Sequence, residues 1–100
     1  MDTLEKLEDW YHAQCNGVWE HSYGIAITTL DNPGWRLRVD VRETSLAQRP
    51  FAELKRDYDH STDWLICNLQ DGEFRGACGP RQLVTMIQVF LAWAYESEPA

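Results

Sequence analysis

The sequence predicts an α+β domain: a four-stranded, mostly antiparallel sheet of two hairpins, flanked by an N-terminal and a C-terminal helix in the order α-β-β-β-β-α. Three observations carry that reading. Apolar residues recur at three and four near both ends of the chain and alternate at two between them. The alternating runs are punctuated by Asp31-Asn32-Pro33-Gly34 and by Asp71-Gly72, both suited to turns.

Asp2 with Glu5 three residues on has the pattern of a capping box, and Leu4, Leu7, Trp10 and Tyr11 follow at helical spacing until Asn16-Gly17. This predicts a first helix over about residues 3 to 15, with Glu5, Glu8, Asp9 and His12 on its solvent side. From Tyr23 the period becomes two, with Trp35, Leu37, Val39 and Val41 alternating against Arg36, Arg38, Asp40 and Arg42. Pro33 fixes one turn dihedral and Gly34 accepts a positive φ, so the runs on either side form a hairpin. Residues 43 to 62 show no clean period and read as a long loop in which Pro50 to Leu54 suit a short helical turn. Trp64 to Gln70 and Glu73 to Cys78 then flank Asp71-Gly72 as the second hairpin. Pro80 opens a second helix, roughly residues 80 to 96, in which Leu83, Met86, Ile87, Phe90, Leu91 and Ala94 recur at helical spacing. Residues 1–96 make one domain and 97–100 a short tail, with both helices on one face of the sheet.

A two-residue turn at Asp71-Gly72 sets Leu69 opposite Phe74, Cys67 opposite Gly76 and Leu65 opposite Cys78, which places both cysteines on the core side. The other side of the sheet is expected to carry Ile25, Ile27, Arg36, Arg38, Trp64, Ile66 and Arg75. Its apolar members need a cover, either the long loop through Phe51, Leu54 or Tyr58, or a partner or second copy of the chain.

Nine Lys and Arg against sixteen Asp and Glu give a net charge of -7. That balance is wrong for a protein living on phosphate backbone, so nucleic acid is not the expected partner, whereas an acidic surface attracts basic proteins and speeds their docking. The longest apolar stretch, Val89 to Tyr95, is far short of the roughly 20 residues that span a bilayer. With no secretory pattern at Met1 to Leu7 and three cysteines in no paired spacing, the expectation is a cytoplasmic protein with free thiols.

Candidate chemistry is sparse. Cys78 precedes a helix start, where unpaired N–H groups favour a thiolate, but no His lies near it in sequence and its side chain is expected to face inward. A small thiol-dependent transferase using Cys78 is therefore the secondary reading. His12, Cys15 and His21 match no paired spacing of a tetrahedral ion, and Asp57, Asp59 and Asp63 lack the ligand order of a calcium loop, so no metal or other cofactor is expected. These aspartates with Tyr58 make an acidic, aromatic-bearing loop, and Trp19-Glu20-His21 joins a large aromatic to an anion and a titratable ring, the residue types of a protein-binding surface. A simple meander puts both groups at one end of the sheet.

Taken together, Leu7-Glu8-Asp9-Trp10-Tyr11, Trp19-Glu20-His21-Ser22-Tyr23-Gly24-Ile25, Thr29-Leu30-Asp31-Asn32-Pro33-Gly34-Trp35, Asp63-Trp64, Gly76-Ala77-Cys78-Gly79-Pro80 and the closing Phe90-Leu91-Ala92-Trp93 resemble immunity protein family fifty-three of bacterial polymorphic toxin systems. The likeness runs from about residue 4 to 94. It implies a cytoplasmic α+β protein, encoded beside a toxin, that binds the toxin and blocks it without catalysis. The expected contact residues are Trp19, Glu20, His21, Asp57, Tyr58, Asp59 and Asp63. The chain itself is expected to be a monomer or a weak homodimer, the latter joined through Ile25, Ile27, Trp64 and Ile66.

Overall fold

In the computed structural model, which describes residues 2–57 and 62–96, the chain forms a five-stranded antiparallel sheet with its helices on one side. Helix α1 (Thr3–Gln14) opens on the expected capping box: the Asp2 carboxylate accepts the Glu5 N–H at 2.9 Å, and the Glu5 carboxylate accepts the Asp2 N–H at 3.2 Å. A one-turn helix, α2 (Trp19–Ser22), leads into strands β1 (Ile25–Leu30) and β2 (Gly34–Asp40). After a long connection come β3 (Leu54–Arg56), β4 (Leu65–Gln70), β5 (Glu73–Cys78) and helix α3 (Leu83–Ala94). The strand order is β1-β2-β5-β4-β3, so the two hairpins join through β2 and β5, and β3 adds an edge.

The second hairpin has the register expected of Asp71-Gly72, both residues lying at positive φ as a tight turn of this kind requires. Gly34 has a different role from the one anticipated. Its φ is not positive; it is glycine because a Cβ there would strike the Cys78 carbonyl oxygen of the neighbouring strand. Two boundaries also move. Helix α1 stops at Gln14 because Cys15 is extended, and α3 begins at Leu83, with Pro80 left outside to accept the Trp35 indole N–H at 3.1 Å.

The expectation of four strands is corrected to five. Leu54–Arg56 pairs with β4, Leu54 opposite Cys67 and Arg56 opposite Leu65. Three residues are too few to show a period, and Lys55 and Arg56 give the strand the charged look of a guarded edge.

Opposed residues of an antiparallel pair share a face, and this assigns the two sides of the sheet. Leu37, Val39, Leu65, Cys67, Phe74 and Cys78 face the helices and are fully buried. Ile25 and Ile27 lie opposite Val39 and Leu37 and so belong to this same side, a correction to their expected place on the other. Ile27 remains partly exposed only because β1 is an edge strand. Ile25 and Ile27 therefore form no single dimer patch with Trp64 and Ile66. Edge-to-face aromatics knit the core together, running from Trp19 to Trp10 to Phe90 to Phe74 to Phe51 with ring centres 5.0 to 6.1 Å apart.

The long connection does not cross the open side of the sheet with Phe51 or Leu54, as a cover would. Leu46 is buried, Phe51 packs on Phe74 and Trp93, and the Arg49 guanidinium donates to the Trp93 carbonyl at 2.8 Å at the C-terminus of α3. The Trp93 indole donates in turn to the Pro50 carbonyl at 2.9 Å. The loop is thereby fixed to the helical layer. Tyr58, the third residue expected to cover the sheet, lies outside the described residues.

Candidate functional site

Strand direction sorts the sequence-predicted residues. Asp40, Glu73 and Gln70 mark one end of the sheet, and Trp35, Cys78 and Leu65 mark the other. Trp19, Glu20 and His21 sit at the Asp40 end, since the Trp19 indole donates to the Arg42 carbonyl at 3.0 Å. Asp57 follows Arg56, which is opposite Leu65, and Asp63 precedes β4, so both lie at the Trp35 end. Six-residue strands separate the two groups by about 20 Å, so the structure does not bring them together as expected. Tyr58 and Asp59 lie outside the described residues.

The Trp19-Glu20-His21 string is mostly architecture. Trp19 is only 2% exposed and packs between Trp10 and Tyr23. The Glu20 carboxylate accepts the N–H groups of Asn16 and Gly17 at 2.8 and 2.7 Å, while Asn16 Oδ1 accepts those of Val18 and Trp19, both at 2.9 Å. These bonds close the tight passage from α1 to α2, where Gly17 has φ +90°. Backbone N–H groups, its own first and then that of Asn16, hold the Glu20 carboxyl below the usual carboxylate range. Of the three residues, only His21 is exposed to solvent.

At the other end Asp57 is exposed, in a left-handed conformation with φ +50°, and Asp63 is half-buried with the Thr62 hydroxyl donating to it at 3.2 Å. Asp57 and Asp63 thus share this corner of the sheet with the cationic Lys55 and Arg56 and with Trp64. Among the described residues no group of three or more His, Cys, Asp and Glu is arranged to hold a metal ion. No helix among them is long and apolar enough to cross a membrane.

The two strand thiols, Cys67 and Cys78, face inward as the register required. Cys67 and Cys78 are fully buried and unbridged. Burial pushes the Cys67 thiol up to about 12 and raises that of Cys78 as well, against the activation a nucleophile needs. Cys78 sits within the fold as a small apolar side chain.

The sequence reading missed the character of the open side of the sheet. The register places Arg36, Arg38 and Arg75 there with Lys55, around a floor of Ala77, Ile66 and Asn68. A shallow hollow of about 420 Å³ lies over these residues. The alternation Arg36-Leu37-Arg38 and the position of Arg75 were legible, but the floor was obscured by assigning Ile25 and Ile27 to it.

The family model of Immunity protein 53 matches residues 4–95, from the first turn of α1 to the end of α3. This chain belongs to the Immunity protein 53 family. No curated protein and no solved structure matches it. The family name agrees with the motifs noted in the sequence, and the matched span covers both hairpins and the short edge strand β3.

Proposed function

We propose that this chain neutralises a bacterial toxin domain encoded beside it, by binding the toxin in the cytoplasm of the producing cell and blocking it sterically. The observation that carries the reading is the family match across residues 4–95. Membership in a family of immunity proteins calls for a partner. The remaining support is physical: a close-packed body with Cys67 and Cys78 buried has only its exterior with which to act, and its charged surfaces suit rapid, oriented docking. No cofactor enters this mechanism.

Of the residues first expected to touch the partner, Asp57 and Asp63 at the Trp35 end, with Tyr58 and Asp59 between them in sequence, remain the proposed acidic contact. Trp19 and Glu20 are assigned to holding the fold, and His21 to solvent at the far end. Co-expression with the toxin domain tests the reading. Growth is rescued by the wild type and impaired when Asp57→Lys, Asp59→Lys and Asp63→Lys are combined. Full rescue by the triple variant would remove the acidic contact, and absence of rescue by the wild type would remove the function.

A further inference from the structure

Charge on this acidic chain is segregated. Four of its nine Lys and Arg, namely Arg36, Arg38, Lys55 and Arg75, stand on the open side of the sheet, where the register sets Arg38 directly opposite Arg75. Like charges opposed across a strand pair are destabilising, so a sheet retaining such a pair benefits from an anion nearby. Glu73 supplies one: its carboxylate accepts from Arg75 at 2.8 Å and lies 3.7 Å from Arg38. Arg75 also donates to the Gln70 side-chain oxygen at 3.2 Å and lies 4.0 Å from the exposed Asp71 carboxylate, so Glu73 is the one carboxylate that both guanidinium groups share. The other acid on this face, Asp40, is already taken by Arg42, which donates to it at 2.6 and 3.0 Å. Arg36 is exposed and has no carboxylate partner among the described residues. Arg38 keeps 56% of its side chain in solvent, whereas Glu73 keeps only 15%, so the cations reach outward from their counterion.

Among the described residues no helix and no part of residues 43–53 lies over the same face. The long connection is tied to α3 on the opposite side, and the floor between the arginines is low and partly apolar, formed by Ala77 and Ile66.

We infer that the open sheet face, through Arg36, Arg38 and Arg75 around Ala77 and Ile66, docks an acidic segment of the toxin, one carrying carboxylates around an apolar side chain. This rests on the toxin-binding reading and deepens it. The occupant follows from charge complementarity. A polyanionic nucleic acid would meet three arginines but also the repulsion of a chain with net charge -7, whereas a protein segment places a few carboxylates where the cations are. Asp57 and Asp63 lie at the Trp35 end of the sheet, so a partner offering opposite charges to these acids and to the arginines would dock in one orientation.

The test uses the full chain and the neighbouring toxin domain in catalytically inactivated form, with affinity measured by calorimetry at low and high NaCl. Arg36→Glu with Arg38→Glu should weaken binding by about 30-fold or more and flatten its salt dependence, as expected for charges facing a complementary surface. Both side chains are exposed, and an unchanged melting curve excludes misfolding as the cause. Lys6→Glu on α1, the control on the opposite layer, should leave affinity within about threefold. Wild-type binding with an unaffected double variant would overturn the inference and leave the proposed function standing. Displacement of the toxin by short single-stranded DNA competing for the same arginines would also overturn it. Failure of the wild type to bind would overturn both.

Discussion

Native-state alkylation of Cys67 and Cys78 discriminates a blocking protein from a thiol enzyme. Cys15, partly exposed and donating its S–H to the Tyr11 carbonyl at 3.4 Å, is first removed as Cys15→Ser, leaving the two buried thiols. Iodoacetamide reacts with thiolate. At about pH 7.5 an ordinary thiol of pKa about 8.5 is roughly one-tenth thiolate, whereas a thiol held at about 12 is thiolate in about three molecules per hundred thousand. Electrostatics alone therefore slows Cys67 by about 3,000-fold, and complete burial adds the need for the fold to open. Mass spectrometry should find the native Cys15→Ser protein unmodified for as long as the urea-denatured protein takes to acquire two labels. The same shift has a stability consequence. The folded Cys67 thiol has a higher pKa than the unfolded one, so its contribution is complete below about pH 8.5 and declines as pH rises toward 12, by up to about 1.4 kcal/mol per pH unit. Cys67→Ala should lose some packing energy at neutral pH and flatten that alkaline decline. Rapid native labelling of Cys78 near neutral pH would refute the reasoning and restore the transferase reading.

Four further substitutions test how the fold is held. Gly79→Ala should cost about 3 kcal/mol and Gly76→Ala about 1, because a Cβ at Gly79 meets the backbone carbonyl of Thr62 whereas one at Gly76 meets the movable Met86 side chain. Thermal denaturation showing the reverse order would contradict the packing described. Trp19→Phe should cost about 1.5 to 3 kcal/mol by urea titration, since it leaves the Arg42 carbonyl without its donor and a gap beside Trp10. Glu20→Gln should lower the melting temperature at neutral pH. With the native carboxyl pKa depressed, the stabilisation is present above about pH 4.5 and disappears as pH falls through the lowered value, so variant and wild type should converge in acid.

Most of the fold was legible because its patterns are local. The capping box at Asp2 and Glu5, the alternation from Trp35 to Val41 and the Asp71-Gly72 turn each dictate geometry within a few residues, and the second hairpin's register placed both thiols inward. What was missed depended on tertiary pairing. Strand β3 is held by β4 rather than by its own sequence, and the register of β1 against β2, which puts Ile25 and Ile27 over the core, depends on a turn of three residues, Gly34 already belonging to β2, rather than on the four of Asp31-Asn32-Pro33-Gly34. Trp19-Glu20-His21 looked like a binding patch because large aromatics beside charges serve interfaces and chain corners alike. Its role became readable only through the Arg42 carbonyl and the N–H groups of Asn16 and Gly17. The arginine face followed from alternation once the turn had fixed which residues oppose each other.

The account's central claim is that the chain acts by occupying its toxin, one molecule on another. Titrating purified chain into a fixed concentration of active toxin domain, well above the dissociation constant, measures this directly. Residual toxin activity should fall linearly and vanish at a fixed whole-number molar ratio, with no further loss on longer incubation. Complete inactivation by a small fraction of an equivalent, growing with time, would show turnover and contradict the claim.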